Sequence, residues 1–340
     1  MKKSPLFLVL LLLVGCKTPT KLILETDMGN DIEDAIAQQM SLRYIDTKKA
    51  DLLAICVNKE GLEPVQYVDV MNSWYGHPEV PIGKVTDGAN CKKDADFSKG
   101  TMELKDANGE PKYKSSISNY DALMEATELY RKLLSSQRDH SVVIASVGFS
   151  TNLLRLMKSE PDEYSKLTGA ELVKKKVKKL AIMAGDFENA KHAEYNVVRD
   201  IPSAKFIFEQ WPTPIDVIPY KIGMQVHFPI SSINNDFSWD PENPLVDAFN
   251  VYRKFRDKDT PMWDTPTVVL AVEGAERFTL TPYGRVTVDD KGHTFFVPDE
   301  KGTHRLATLT DEQAKALQEY IIQEITTKPK TWGTWTAQPQ

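Results

Sequence analysis

Cysteine is scarce: three of 340 residues, at Cys16, Cys56 and Cys91. Cys16 belongs to the leader treated below, which leaves two thiols, too few for a disulfide-dependent scaffold. A Cys56–Cys91 bridge is compatible with an exported protein, but nothing in the spacing demands it. Cys56 lies in the apolar run Leu52-Leu53-Ala54-Ile55-Cys56-Val57 and reads as a small buried hydrophobe. Histidine is nearly as rare, at six, and no Cys/His cluster suggests zinc. Positive charge is not in excess either. The net charge of −6 argues against nucleic acid as a partner. The apolar stretch Leu6–Val14 is too short to span a bilayer. No internal repeat is visible, and no linker splits the chain.

What is present begins with a targeting segment. Met1-Lys2-Lys3 forms a basic start, the apolar stretch follows, and Leu13-Val14-Gly15-Cys16 closes it. That closing tetrad resembles the lipobox of bacterial lipoproteins. The resemblance implies cleavage before Cys16, lipidation of its sulfur, and anchoring at a periplasmic face or the cell surface. The expected organisation is a signal peptide over 1–15, a tether over 16–20 and one domain over 21–335.

Within the domain, apolar runs alternate with helix-period segments, as in a largely parallel sheet with helical crossovers. Strands are expected at Leu22–Leu24, Leu52–Val57, Val142–Ser146, Leu180–Met183 and Ile215–Ile218. Helices are expected near Ile32–Leu42, Pro64–Trp74, Asp121–Leu134, Thr151–Lys158, Ser203–Gln210, Leu245–Phe255 and Thr267–Val272. Residues 84–118 lack periodicity and read as a long loop, either a lid or a decoration. The basic run Lys174–Lys179 reads most simply as a solvated helix end. Phe278–Val297 alternates like a hairpin, and a last helix opens at Thr310 with Gln313 completing a capping box. The fold class is α/β: a single domain with a mostly parallel central sheet flanked by helices, plus a C-terminal hairpin and helix.

The densest feature is Glu25-Thr26-Asp27-Met28-Gly29-Asn30-Asp31-Ile32-Glu33-Asp34, which packs five carboxylates into ten residues. Like charges this close need open solvent or a cation. They stand where the first strand ends and the first helix begins, the edge at which open α/β sheets bind ligands. A hard-cation site for calcium or magnesium follows. Capping offers a plainer account of Asp31, Glu33 and Asp34, with Asn30 and Glu33 resembling a capping box. It leaves Asp27 and Glu25 unexplained. An EF-hand is excluded by the position of Gly29.

Five segments in order then resemble the calcium-dependent nucleoside hydrolases. That family's Asp-x-Asp-Pro-Gly-x-Asp-Asp-Ala stands here as Glu25 to Gly29 and Ile32 to Ala35, with Asn30-Asp31 as an insertion. Val57-Asn58, the turn Ser146–Asn152, Met183-Ala184-Gly185 with Ala193-Glu194-Tyr195-Asn196, and Trp263-Asp264 continue the series. The resemblance implies a calcium ion held by Asp27, Asp34, Asp264 and the carbonyl of Val147. It implies a calcium-bound water deprotonated by Asp27, with Glu33, Asn58, Glu194 and Asn196 on the sugar hydroxyls and Trp263 lining the pocket. It also implies a nucleoside or riboside as ligand and a homo-oligomer, dimer or tetramer. Glu25 and Glu33 stand where aspartates are usual, and Trp263 where a proton-donating histidine is usual. His192 and His77 are other candidate acids, and Asp31 can take the role given to Glu33.

Three functions compete at this stage. The first is hydrolysis of ribonucleosides or related N-ribosides outside the cytoplasm. The second is a nucleoside- or sugar-binding lipoprotein of the same fold without turnover. The third, a phosphatase of the haloacid-dehalogenase type, needs an aspartate nucleophile where Glu25 stands, and ranks last.

Overall fold

The run Leu22-Ile23-Leu24 offers nothing to solvent, and in the computed structural model all three residues are fully buried. The structure describes residues 18–89, 96–254 and 256–329. Successive side chains of a strand face opposite sides. Leu22 and Leu24 accordingly join one apolar layer and Ile23 the other. Ala181, between Leu180 and Ile182, alternates in the same way. A parallel sheet covered on both faces favours unbroken apolar runs over alternation with polar residues. The sequence carries such runs.

The strands are β1 (Thr20–Thr26), β2 (Ala50–Val57), β3 (Ile82–Gly83), β4 (Val142–Ser146), β5 (Val177–Met183) and β6 (Ile215–Ile218). They continue as β7 (His227–Phe228), β8 (Thr260–Pro261), β9 (Thr279–Leu280), β10 (Gly284–Val288), β11 (Thr294–Pro298) and β12 (His304–Thr308). The order β12-β6-β5-β4-β1-β2-β3 is parallel throughout. The hairpin β10-β11 extends it antiparallel beyond β12, β9 also pairs with β12, and β7-β8 form a separate ribbon.

Helices connect these strands: α1 (Glu33–Asp46), α2 (Leu62–Trp74), α3 (Phe97–Met102), α4 (Ala126–Ser136), α5 (Thr151–Lys158), α6 (Gly169–Lys176) and α7 (Tyr195–Arg199). They continue as α8 (Ile201–Gln210), α9 (Tyr220–Gln225), α10 (Ile230–Asn235), α11 (Pro244–Tyr252), α12 (Asp264–Glu273) and α13 (Asp311–Thr326). Helix α1 is buried almost all round. Its glutamine amide N–H groups find partners inside: Gln38 donates to the Val68 carbonyl and to Asn72, and Gln39 to the Ile325 carbonyl. A helix this enclosed is held as a rigid support for the acids at its start.

Several expectations need correction. Helix α4 begins at Ala126 rather than near Asp121, because residues 120–122 form a short 3₁₀ turn capped by Asn119 and Leu123 is extended. The stretch expected as a loop holds α3, capped by Asp96, and Ser116, Ile117 and Tyr120 all donate to the buried carboxylate of Asp69. The lysine run is not wholly a solvated helix end. Its last member, Lys179, lies in β5, where the ammonium bonds Asp216 at 3.2 Å and the Leu270 carbonyl at 2.9 Å. Helix α1 has no side-chain cap, so the Asn30–Glu33 capping box does not form. Cys56 is buried and in no disulfide. Cys91, Cys16, the segment 1–15 and the expected helix end at Phe255 lie outside the described residues.

Candidate active site

Strand order brings the site together. The carboxyl ends of β1, β4, β5 and β6 lie side by side, and the residues leaving each of them face one cavity of about 320 Å³. Asp27 follows β1, Val147 follows β4, Asp34 opens α1 and Asp264 opens α12; all four line the cavity. Gly148 explains how β4 approaches so closely. A Cβ there would stand 2.5 Å from the Asp27 backbone nitrogen and 2.6 Å from Asn58 Oδ1. Only glycine lets the two strand ends meet.

Electrostatics at this end of the sheet are unfavourable without a cation. Burial raises the Asp34 and Asp264 carboxyls well above their ordinary values, and the neighbouring acids push them further. Burial raises Asp27 to about 6, against the opposing hydrogen bond from Asn30 Nδ2 at 2.7 Å and the charge of Lys59. Lys59 is itself paired with Asp96 at 2.9 Å, so it is only partly available. The donor chemistry, buried carboxylates beside a backbone carbonyl, fits a hard cation. The described residues hold no ready-made group of three metal-binding side chains. The Val147 carbonyl, moreover, accepts a hydrogen bond from Asn196 Nδ2 at 2.9 Å. Asp27, Asp34 and Asp264 with the Val147 carbonyl are oxygen donors of the kind a hard cation takes.

Two expected sugar ligands serve first as helix caps. Glu33 lines the cavity, but its oxygens accept from the backbone N–H groups of Trp263 (2.6 Å), Asp264 (2.6 Å) and Thr265 (2.8 Å). It caps α12 from across the molecule and so fixes Asp264. Burial, the leading cause, raises Glu33 to about 8 against those three hydrogen bonds. Glu194 caps α7, accepting from Asn196 N and Val197 N, and also takes the Gly185 N–H at 3.0 Å. Asn196 and Trp263 line the cavity. Asn58 does not. It is fully buried, donating to Glu25 Oε1 at 3.1 Å and accepting from the Phe149 N–H at 3.1 Å. Glu25 gathers Asn58, Asn152 and the Tyr130 hydroxyl, and burial raises its carboxyl to about 8. Asn58 and Glu25 therefore buttress the 147–149 turn from behind.

Other cavity residues carried weaker signals or none. Asp31, the inserted acid, accepts from the Tyr252 hydroxyl at 2.9 Å and has Arg256 at 3.6 Å, with about a third of its side chain exposed. Tyr220 lines the opposite side, stacked on Trp263 with centroids 5.4 Å apart. The general rule that ligands gather at strand ends points to Tyr220, two residues beyond β6. No such rule finds Arg256, which lies in a loop.

An acid-lined cleft at the carboxyl edge of a parallel sheet, walled by aromatics, defines an α/β enzyme site for a small polar ligand. The chain belongs to the inosine-uridine preferring nucleoside hydrolase family, whose sequence profile matches residues 22–326. Members of that family hydrolyse N-glycosidic bonds and depend on a metal, often calcium. A plant nucleoside hydrolase has a similar structure, with 20% identity, a TM-score of 0.70 and coverage of 91% of this chain and 100% of its own. A purine-preferring ribonucleoside hydrolase from Gardnerella vaginalis follows at 18% identity and TM-score 0.69, covering 90% and 98%. An inosine-guanosine nucleoside hydrolase shares 17% identity at TM-score 0.68, again covering 90% and 98%. At such identities the likeness establishes a common fold. No curated protein matches the sequence.

Proposed function

We propose that the protein cleaves the N-glycosidic bond of ribonucleosides or related N-ribosides. The observation that carries this reading is the meeting of Asp27, Asp34 and Asp264 in one cavity of a chain of this family. Cleavage passes through an oxocarbenium-like sugar, which buried carboxylates stabilise by their negative charge. Asp27, beside Asp34 and Asp264 in the cavity, takes the proton of the attacking water. Asp31 and Asn196 face the cavity with groups able to hold sugar hydroxyls, and Glu33 acts through Asp264, whose backbone it pins. A calcium ion bound among Asp27, Asp34, Asp264 and the Val147 carbonyl would lower the pKa of the attacking water and orient the sugar.

The test is a panel of nucleosides assayed for free ribose, with calcium and with a chelator. Wild-type protein is expected to release ribose only with calcium, and Asp27→Ala to lose at least about 10²-fold in rate. Full hydrolysis by Asp27→Ala would refute the assignment. Binding without cleavage by the calcium-loaded wild type would favour a nucleoside-binding lipoprotein.

We further propose export and lipid anchoring at Cys16, supported by the tetrad Leu13–Cys16. Lipidation of the Cys16 sulfur would supply the attachment. Among the described residues no helix is long and apolar enough to cross a membrane. Cys16→Ser is expected to release the protein from the membrane fraction or leave an uncleaved precursor. Unchanged fractionation and mobility would refute the anchor.

A further inference from the structure

Breaking a C–N bond to a nucleobase leaves an anionic base unless a proton arrives as the bond breaks. Trp263 cannot supply one: its indole N–H is spent on the Tyr220 carbonyl at 2.7 Å, and an indole is no acid near neutrality. The ring is also held in place, since a Cβ on Gly223 would stand 2.0 Å from it. His77, the other candidate, does not line the cavity and lies between Asp46 and Glu79. Among the described residues, His192 is the one imidazole that lines the cavity.

His192 is built in. Its Nδ1 lies 2.9 Å from Asp186 Oδ2. Asp186 is almost fully buried, and its other oxygen accepts from the Glu188 and Asn189 N–H groups at 3.0 and 3.1 Å. Its carbonyl accepts from Thr294 Oγ1 of the hairpin at 3.3 Å. The carboxylate is thus held by its own loop, and its backbone by the hairpin, before the imidazole meets it. With Nδ1 committed to Asp186, Nε2 is the nitrogen left for a ligand. The His192 ring meets Tyr220 edge-on at 4.6 Å, and Tyr220 stacks on Trp263. The three rings touch in series, and all three line the cavity.

We propose that His192 is the acid that protonates the departing base, positioned by Asp186. The proposal rests on the riboside-hydrolysis reading above and names the group that reading lacks. As the C1′–N bond breaks, its electron pair passes into the base, and the Nε2 proton moves to a base nitrogen. The hydroxyl of the attacking water bonds C1′, and that water's proton goes to Asp27. The products are free ribose and a neutral base. His192 recovers its proton from solvent through its side chain, which is 36% exposed.

The experiment compares two leaving groups on the calcium-loaded full-length protein: inosine, which needs the acid, and p-nitrophenyl riboside, whose phenolate leaves unprotonated. His192→Asn is expected to lose about 10²-fold or more on inosine, and at least ten times less on the nitrophenyl riboside. Asp186→Asn, a change to a positioning residue, is expected to show the same bias at smaller size, since a purely structural defect lowers both substrates alike. A second substitution, His192→Gln, guards against misfolding, with melting temperature measured for all three variants. Equal losses on both substrates, or none on either, would overturn the proposal. If wild type cleaves neither substrate, the riboside reading itself falls and the assignment falls with it.

Discussion

Gly148 shows how finely the acids are placed. An added methyl would meet the Asp27 backbone and Asn58 at less than van der Waals separation, so Gly148→Ala must shift Asp27 and Asn58 relative to the 147–149 turn. Overpacking of this kind costs about 1–3 kcal/mol, and a displacement near 1 Å can cost about 10²-fold in rate. The expected outcome is a fall of roughly that size in kcat/KM with a modest drop in melting temperature. Unchanged kcat/KM would show that the Asp27 position is not set by this contact. At the residue scale the acids were legible in the sequence because capping accounts for at most three of the five and leaves Asp27 and Glu25 unexplained. The division of labour among them was not. Glu33 looked like a sugar ligand, yet its partners are backbone amides at 263–265, more than two hundred residues away. A cap made from a distant segment leaves no local signature, whereas capping boxes such as Thr310–Gln313 do.

Among the elements the sequence hid, such as α3 and the two-residue strands, β12 is the one that joins the hairpin to the central sheet. His304-Arg305-Leu306-Ala307-Thr308 is short and half polar, and it becomes a strand because β6, β9 and β10 all pair with it. By contrast β4 and β6 match their expected bounds end to end, since burial on both faces favours apolar residues, and the one buried acid, Asp216, is paired with Lys179 and Arg305. Inside β12, His304 Nδ1 accepts the Val286 N–H at 2.8 Å. Burial, then the charge of Arg285, lowers its pKa to about 4, against an ordinary value near 6.5. The unfolded chain therefore takes up this proton first as pH falls. The stability His304 contributes is complete above pH 6.5 and is lost progressively down to about pH 4. His304→Gln should flatten this part of the acid limb. Denaturation midpoints of wild type and variant between pH 7 and 4 measure it, and parallel curves would contradict the assignment.

For the whole molecule, the acid cluster makes folding, metal and pH one linked problem. Burial raises Asp27 to about 6, Glu25 and Glu33 to about 8, and Asp34 and Asp264 well above the ordinary range, with neighbouring acids adding to the last two. Without a cation the folded chain binds more protons than the unfolded chain once pH exceeds about 4, where free carboxyls ionise. Stability of the calcium-free protein contributed by these groups is therefore greatest below that pH. It falls as pH rises through the folded values to about 8. Calcium acts in the opposite direction, because its ligands must be deprotonated and its affinity grows with pH. At a hundredfold excess over Kd, binding to the folded state alone adds about 2.7 kcal/mol. The expected result is a chelator-induced drop in melting temperature that is small at pH 5 and large at pH 8. Replacing Asp264 by Asn should shrink that difference, since one repelling carboxylate and one ligand disappear together. Identical melting curves with and without chelator at every pH, with no calcium found by elemental analysis, would remove the metal from this site.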